Sequence, residues 1–162
     1  MKRTMMSIST AAAFALVLAG CSSASTEDDT TRDESGDIVE EGEVGALAIQ
    51  VGDCLASVGT GEITSTEGVP CESEHEYEVY HAFDLAGTDF PGDDEVANLA
   101  SEGCLEAFEP FVGLEYESSI YGFNHLVPTQ EGWDQVSDRE VLCIINNFDG
   151  TLKSGSAEGT AQ

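Results

Sequence analysis

Four cysteines, at positions 54, 71, 104 and 143, are spread through this 162-residue chain. Their redox state constrains the fold more than any other feature. Reduced, they invite a zinc site; oxidised, they form two disulfides that support a small core. The compartment decides between these states, and the start of the chain carries that information.

Lys2 and Arg3 precede an apolar run from Ala11 to Ala19. The run is too short for a permanent membrane span and has the pattern of a secretory leader. It ends in Leu18-Ala19-Gly20-Cys21, which looks like the lipobox of bacterial lipoproteins. That likeness implies cleavage of residues 1–20 as a signal peptide and covalent diacylglycerol on Cys21, with no other cofactor. Each buried acyl CH₂ contributes about 0.8 kcal/mol, so two or three chains such as palmitate hold firmly where one is marginal. The expected location is the outer face of the cytoplasmic membrane. There the other four cysteines are expected as disulfides.

The formal net charge is −27, from 32 acidic and 5 basic residues. Such a chain repels phosphate backbones, which excludes nucleic acid, and repels anionic headgroups, which leaves membrane attachment to the lipid. General solubility accounts for this charge, and a basic envelope or divisome protein is the specific partner it fits.

The acids concentrate in 21–46, read as a lipidated, disordered tether with a reach of roughly 28 Å. Residues 47–152 form one globular domain, and 153–162, small and polar, read as a frayed, disordered tail. In the domain, Leu47, Ile49 and Val51 alternate as a first strand, and 59–68 read as a loop or weak hairpin. Tyr77, Val79, His81, Phe83 and Leu85 alternate on one face of a second strand. After Pro91-Gly92, an amphipathic helix capped by Asp93 or Asp94 carries Val96, Leu99, Ala100, Cys104, Phe108 and Phe111 on one face. Strands follow around Tyr121–Val127 and Val141–Ile145, separated by a loop at 129–138. The fold class is α+β: a small, mainly antiparallel sheet with one packed helix and two disulfides.

Four cysteines allow three connectivities. Cys104 on the helix's apolar face and Cys143 on the most apolar strand favour their pairing. Cys54 and Cys71 then close a loop of about 17 residues, worth roughly 3 kcal/mol in the chain-entropy model.

Catalytic patterns are weak. His75 and Glu78 are three apart, so on a strand they face opposite sides. Cys71 is a third metal ligand only when reduced, and no metal site is expected. Oxidised cysteines also remove a Cys-His nucleophile pair. No Gly-x-Ser-x-Gly elbow is present. Among so many acids, a carboxylate pair carries no information. Trp133 reads as a lid over the core ahead of a contact residue, with Tyr80 a weaker contact candidate.

"VGDCL" (51–55), "VPCESEHEYEVY" (69–80), the helix with Cys104 and "SDREVLCII" (137–145) together resemble the septum formation domain of actinobacterial membrane proteins and lipoproteins. The family pattern has Gly-Asp-Cys, a cysteine and His-x-x-Glu before a strand, a helical cysteine, and Gly-Asp-Arg before the last cysteine. Gly52-Asp53-Cys54, Cys71, His75, Glu78, Cys104, Trp133, Asp138-Arg139 and Cys143 match it. Glu74 stands where proline is usual, and Ser137 where glycine is usual. The resemblance implies a small extracytoplasmic domain linked to cell division, without established catalytic chemistry. His75, Glu78, Trp133 and Arg139 are the candidate binding or structural surface, with Arg139 expected to pair with Glu78 or His75. The expected function is a lipid-anchored binding or scaffold module in septum or envelope processes. The alternatives are an envelope hydrolase acting on cell-wall glycan or peptide, and a small solute-binding lipoprotein.

Overall fold

The computed structural model describes residues 29–162; the leader, Cys21 and the first part of the expected tether lie outside them. Among the described residues no helix is long and apolar enough to cross a membrane. The elements are β1 (Thr31–Arg32), β2 (Ile38–Glu40), β3 (Gly42–Gly45), β4 (Cys54–Leu55), β5 (Ser65–Val69), β6 (Tyr77–Asp84), α1 (Asp93–Val112), β7 (Tyr121–Leu126), α2 (Gln130–Gln135) and β8 (Glu140–Asn147). β1 and β2 pair as a small antiparallel ribbon. The other six strands form one antiparallel sheet in the order β3-β5-β4-β6-β8-β7. The fold is α+β, with α1 packed on one face of this sheet.

Strand β8 explains the layering. Val141, Cys143 and Ile145 point to the helix side, where Val96, Ala100, Cys104 and Phe108 of α1 meet them. Leu142 and Ile144 point the other way, into a second cluster with Val44, Ile49, Leu55 and Val79. Both faces are covered, so β8 reads as an uninterrupted apolar run instead of an alternating one. The disulfides are Cys54–Cys71 and Cys104–Cys143, the latter tying α1 to β8.

Strand β6 departs from simple alternation. Its register to β8 slips between Val79 and His81, so Tyr80 is an extra, bulged residue. A one-residue slip exchanges faces. Tyr77 and Val79 therefore pack in the outer cluster, while Phe83 and Leu85 pack on the helix side. The expected single face is divided by this bulge.

Other expectations are also corrected. From Thr31 to Gly45 the expected tether is instead paired in strands, and Val44 is fully buried. Few apolar residues suffice there because β5 supplies the backbone partner of β3. The expected first strand at 47–51 is a short 3-10 turn followed by irregular chain. The hairpin region at 59–68 contributes β5, and the expected loop at 129–138 contains α2, capped by Thr129, whose hydroxyl accepts from the Gly132 N–H. Helix α1 has Gly92 at its N-cap, with Asp93, Asp94 and Glu95 in the first turn favoured by the helix dipole. The 153–162 tail is docked: Ala157 is fully buried, and the Gly159 and Ala161 N–H groups donate to Phe111 and Val112.

Candidate functional site

Both ends of the described chain are held by ion pairs, Arg32 with Asp53 and Lys153 with Glu78, the latter in place of the expected pairing of Glu78 with Arg139. Cys54 of β4 lies opposite Glu78 of β6, which places Asp53 and Glu78 close together. The Asp53 N–H and carbonyl are fixed by their neighbours, with Val79 donating to the Asp53 carbonyl at 2.8 Å. Its carboxylate turns toward the N-terminal ribbon. There Arg32 of β1 donates in a two-pronged contact, at 2.5 and 2.9 Å, and the Gln50 N–H donates at 2.8 Å. This fork is the geometry that makes arginine-carboxylate pairs strong and directional.

Glu78 grips the other end. Lys153 donates to its carboxylate at 2.6 Å, the Ala157 N–H donates at 2.8 Å, and the Ser156 hydroxyl also donates. Lys153 and Glu78 are both buried. Burial lowers the lysine's pKa, and the contact with Glu78 pulls it back up. The bulge at Tyr80 leaves Glu78 on the helix side, where it reaches this tail.

His75 is fully buried. Its backbone exchanges hydrogen bonds with Lys153, at 2.9 and 3.0 Å, which aligns the tail with Glu78. Ring Nδ1 lies 2.9 Å from the Ser73 carbonyl and so carries the proton. Nε2 has no hydrogen-bond partner among the described residues. Burial lowers the His75 pKa, opposed by the Ser73 contact, with Lys153 also lowering it and Glu78 raising it. Burial thus favours the neutral ring.

Arg139 makes neither expected pair. Its guanidinium stacks over Trp133, 3.7 Å from the ring centroid. It also donates to the carbonyls of Trp133 at 3.0 Å and Gly87 at 3.3 Å. Trp133 is buried as the expected lid, and its Nε1 donates to the Thr88 carbonyl at 3.0 Å. Arg139 therefore ties α2, the 87–88 turn and the start of β8. Tyr80, a contact candidate, is buried and donates to the Cys104 carbonyl at 2.6 Å; burial pushes its pKa well above the ordinary tyrosine range. Ser137, where the resemblance led to an expectation of glycine, has φ +60°, the left-handed region that glycine occupies without a Cβ clash.

The sequence reading missed Arg32, Asp53 and Lys153 as partners. One signal was available: in a chain with 5 bases, each base outside the leader is a prospective partner for a buried carboxylate.

Between the two clamped ends lies a groove made of two adjoining hollows of about 680 and 690 Å³. Tyr80, Phe111 and Glu158 line both. The walls bring apolar surface from Ile38, Val51 and Pro110 beside the carboxylates of Asp33, Asp37, Glu72, Glu106 and Glu158. No lysine or arginine lines either hollow. Among the described residues, no cluster of three or more His, Cys, Asp or Glu side chains is placed to hold a metal ion.

A disulfide-tied α+β domain with clamped termini and an acid-rimmed groove is thus the class of protein. The chain belongs to the septum formation family, whose model matches residues 23–162. Neither a curated protein nor a solved structure matches the chain. The match takes in both clamped segments as well as the cysteine-bearing centre, so Arg32 and Lys153 fall within the family's span.

Proposed function

We propose that the protein is a lipid-anchored module on the outer face of the cytoplasmic membrane, serving septum formation by binding a basic segment of an envelope or divisome protein. The observation that carries this reading is the groove, with an apolar floor at Tyr80 and Phe111 and carboxylates around it. An extended segment with alternating lysine or arginine and apolar side chains complements that surface. Charge attraction raises the encounter rate, and burial of apolar side chains supplies persistence. The membership of the septum formation family supports the process. A role in binding rather than catalysis is supported by Asp53, Glu78 and Lys153, each engaged in holding a chain end.

The test is the position of a fluorescent C-terminal fusion in growing cells. Enrichment at division sites is expected, with loss in Cys21→Ala. Glu72→Lys with Glu158→Lys, both exposed groove positions, is expected to leave the protein on the membrane but reduce septal enrichment. Uniform membrane signal from the unaltered protein refutes the septal reading. Undiminished enrichment in the charge-reversed variant refutes the groove as the binding surface.

A further inference from the structure

The six-stranded sheet has two edges, and they are finished differently. At β3 the Asp29 N–H donates to the Glu43 carbonyl, Asp29 backbone lies against Gly42, and Glu43 adds a charge. At β7 the sheet ends on a strand whose one partner among the described residues is β8. Strand edges are ordinarily protected by charge, proline, a bulge or a covering segment. Among the described residues, β7 has a regular register and has no charge, proline, bulge or covering strand along Tyr121–Leu126, the C-terminal Gln162 reaching only Ser119 before it. Residues 118–130 contain no Asp, Glu, Lys or Arg, in a chain of formal net charge −27.

The edge's hydrogen-bonding groups follow from the register. The Phe148 N–H donates to the Ile120 carbonyl at 2.9 Å. Hydrogen-bonded pairs alternate in an antiparallel ladder, so Gly122, Asn124 and Leu126 turn their backbone groups to β8. Tyr121, Phe123 and His125 turn theirs outward. The Tyr121 N–H is taken by the Ser119 hydroxyl at 3.1 Å. Phe123 and His125 then present outward donors and acceptors at alternate positions.

We propose that this edge pairs with β7 of a second copy of the chain, antiparallel, about a two-fold axis at Asn124. Only this centring sets Phe123 against His125 in both directions while keeping the Ser119–Tyr121 contact. A centre at Phe123 demands the Tyr121 N–H. Asn124 then faces Asn124, and Gly122 faces Leu126. Charge selects the partner class. Two equally acidic molecules repel wherever their acids meet, and an uncharged strand is where they approach at least cost. A basic partner gains nothing at this strand and is drawn instead to the acid-rimmed groove. The pairing joins two six-stranded sheets into one and is self-complementary, as a two-fold interface requires.

Asn124 is exposed, and in this register it sits in a non-hydrogen-bonded pair with its counterpart, where Cβ atoms lie about 4.5–5.5 Å apart. Asn124→Cys in the full-length protein, in its own membrane, is expected to give a disulfide-linked dimer under mild oxidation. Asp134→Cys, exposed on α2 and outside the edge strand, is expected to give none. Asn124→Asp and Asn124→Lys, each expressed alone, are expected to shift the detergent-solubilised protein from two-chain to one-chain mass. Co-expressed, they are expected to restore the two-chain mass. Equal crosslinking at 124 and 134, or crosslinking of residue 124 to a different protein, overturns the proposal. So does a mass that neither charge variant changes.

Discussion

Asp53 and Glu78 are neighbours across the β4–β6 pairing, and each holds a distant segment of the chain, yet the two clamps are built differently. At Asp53 the cation is an arginine that binds through a planar fork and keeps some contact with solvent. At Glu78 the cation is a lysine, a compact charge more fully buried, and the carboxylate needs the Ser156 hydroxyl and the Ala157 N–H to complete its shell. A fork supplies two directed bonds from one side chain. A lysine leaves the remaining lone pairs to others, so the C-terminal clamp recruits a whole turn of chain. The lesson is that the lysine clamp is a cooperative unit, whereas the arginine clamp is closer to a single contact.

Glu78→Ala breaks this comparison most severely. It leaves Lys153 buried without its counter-charge, and removing one partner of a buried pair costs about 3–5 kcal/mol. Urea unfolding is expected to show a loss of that size. Amide exchange is expected to accelerate at Ala157, whose N–H donates to Glu78, far more than at Gln50, whose N–H donates to Asp53. Equal acceleration at both sites defeats the idea of separate clamps.

Cys104→Ala with Cys143→Ala comes next. The bond joins α1 to β8, and losing a native disulfide from a small domain costs about 2–5 kcal/mol. Both amides are expected to lose protection together, since losing this tie between helix and sheet lowers the stability of the whole domain. Asp53→Asn is expected to cost less, about 1–3 kcal/mol, because the amide oxygen still accepts from Arg32 while the charge is gone. Its effect is expected at Gln50 and not at Ala157.

Acid separates the clamps without mutation. Burial depresses the His75 pKa, so below about pH 6.5 the unfolded chain takes up a proton that the folded chain resists. The unfolded state binds more protons there, and stability falls as pH falls through that window. His125 is depressed by burial too and adds to the global loss. His75 sits on Lys153, however, and a second cation beside that lysine strains the C-terminal clamp in particular. Between pH 7 and 5, the protection factor at Ala157, exchange being compared with that of the free amide at the same pH, is expected to fall more than that at Gln50, and His75→Gln is expected to remove the difference.

The centre of this fold was legible in the sequence, and its ends were not. Helical spacing from Val96 to Phe111 and the apolar run at 141–145 are periodic signals that survive without tertiary context. Cys104 and Cys143 stood on those two elements, so their pairing could be argued. Val44 and Ala157 carry no such signal: Val44 ends an acidic stretch and Ala157 stands alone among small polar residues, each buried because a strand or a carboxylate elsewhere holds its backbone. Alternation also misled at β6, because a bulge inverts the face without changing the residue pattern. At the candidate site, His75 and Glu78 were recognised as a motif, but their partner lay in a tail read as frayed. Arg139 was placed with the wrong groups because charge alone pointed to carboxylates, while a buried tryptophan ring lay nearer.

Ser137→Gly provides the smallest effect and calibrates the others. Ser137 links α2 to β8 at φ +60°, where its Cβ crowds the backbone and glycine does not. Its burden is local, since Asp138 and Arg139 that follow are fixed by their own contacts: the Asp138 N–H donates to the Gly132 carbonyl at 3.1 Å, and Arg139 lies over Trp133. Glycine relieves the strain of about 1 kcal/mol but gives the unfolded chain more freedom, so the net gain is expected to be below that figure. A small rise in Tm is expected, with exchange at Ala157 and Gln50 slowed by the same factor. A gain confined to one amide instead places that clamp and the α2–β8 corner in one cooperative unit.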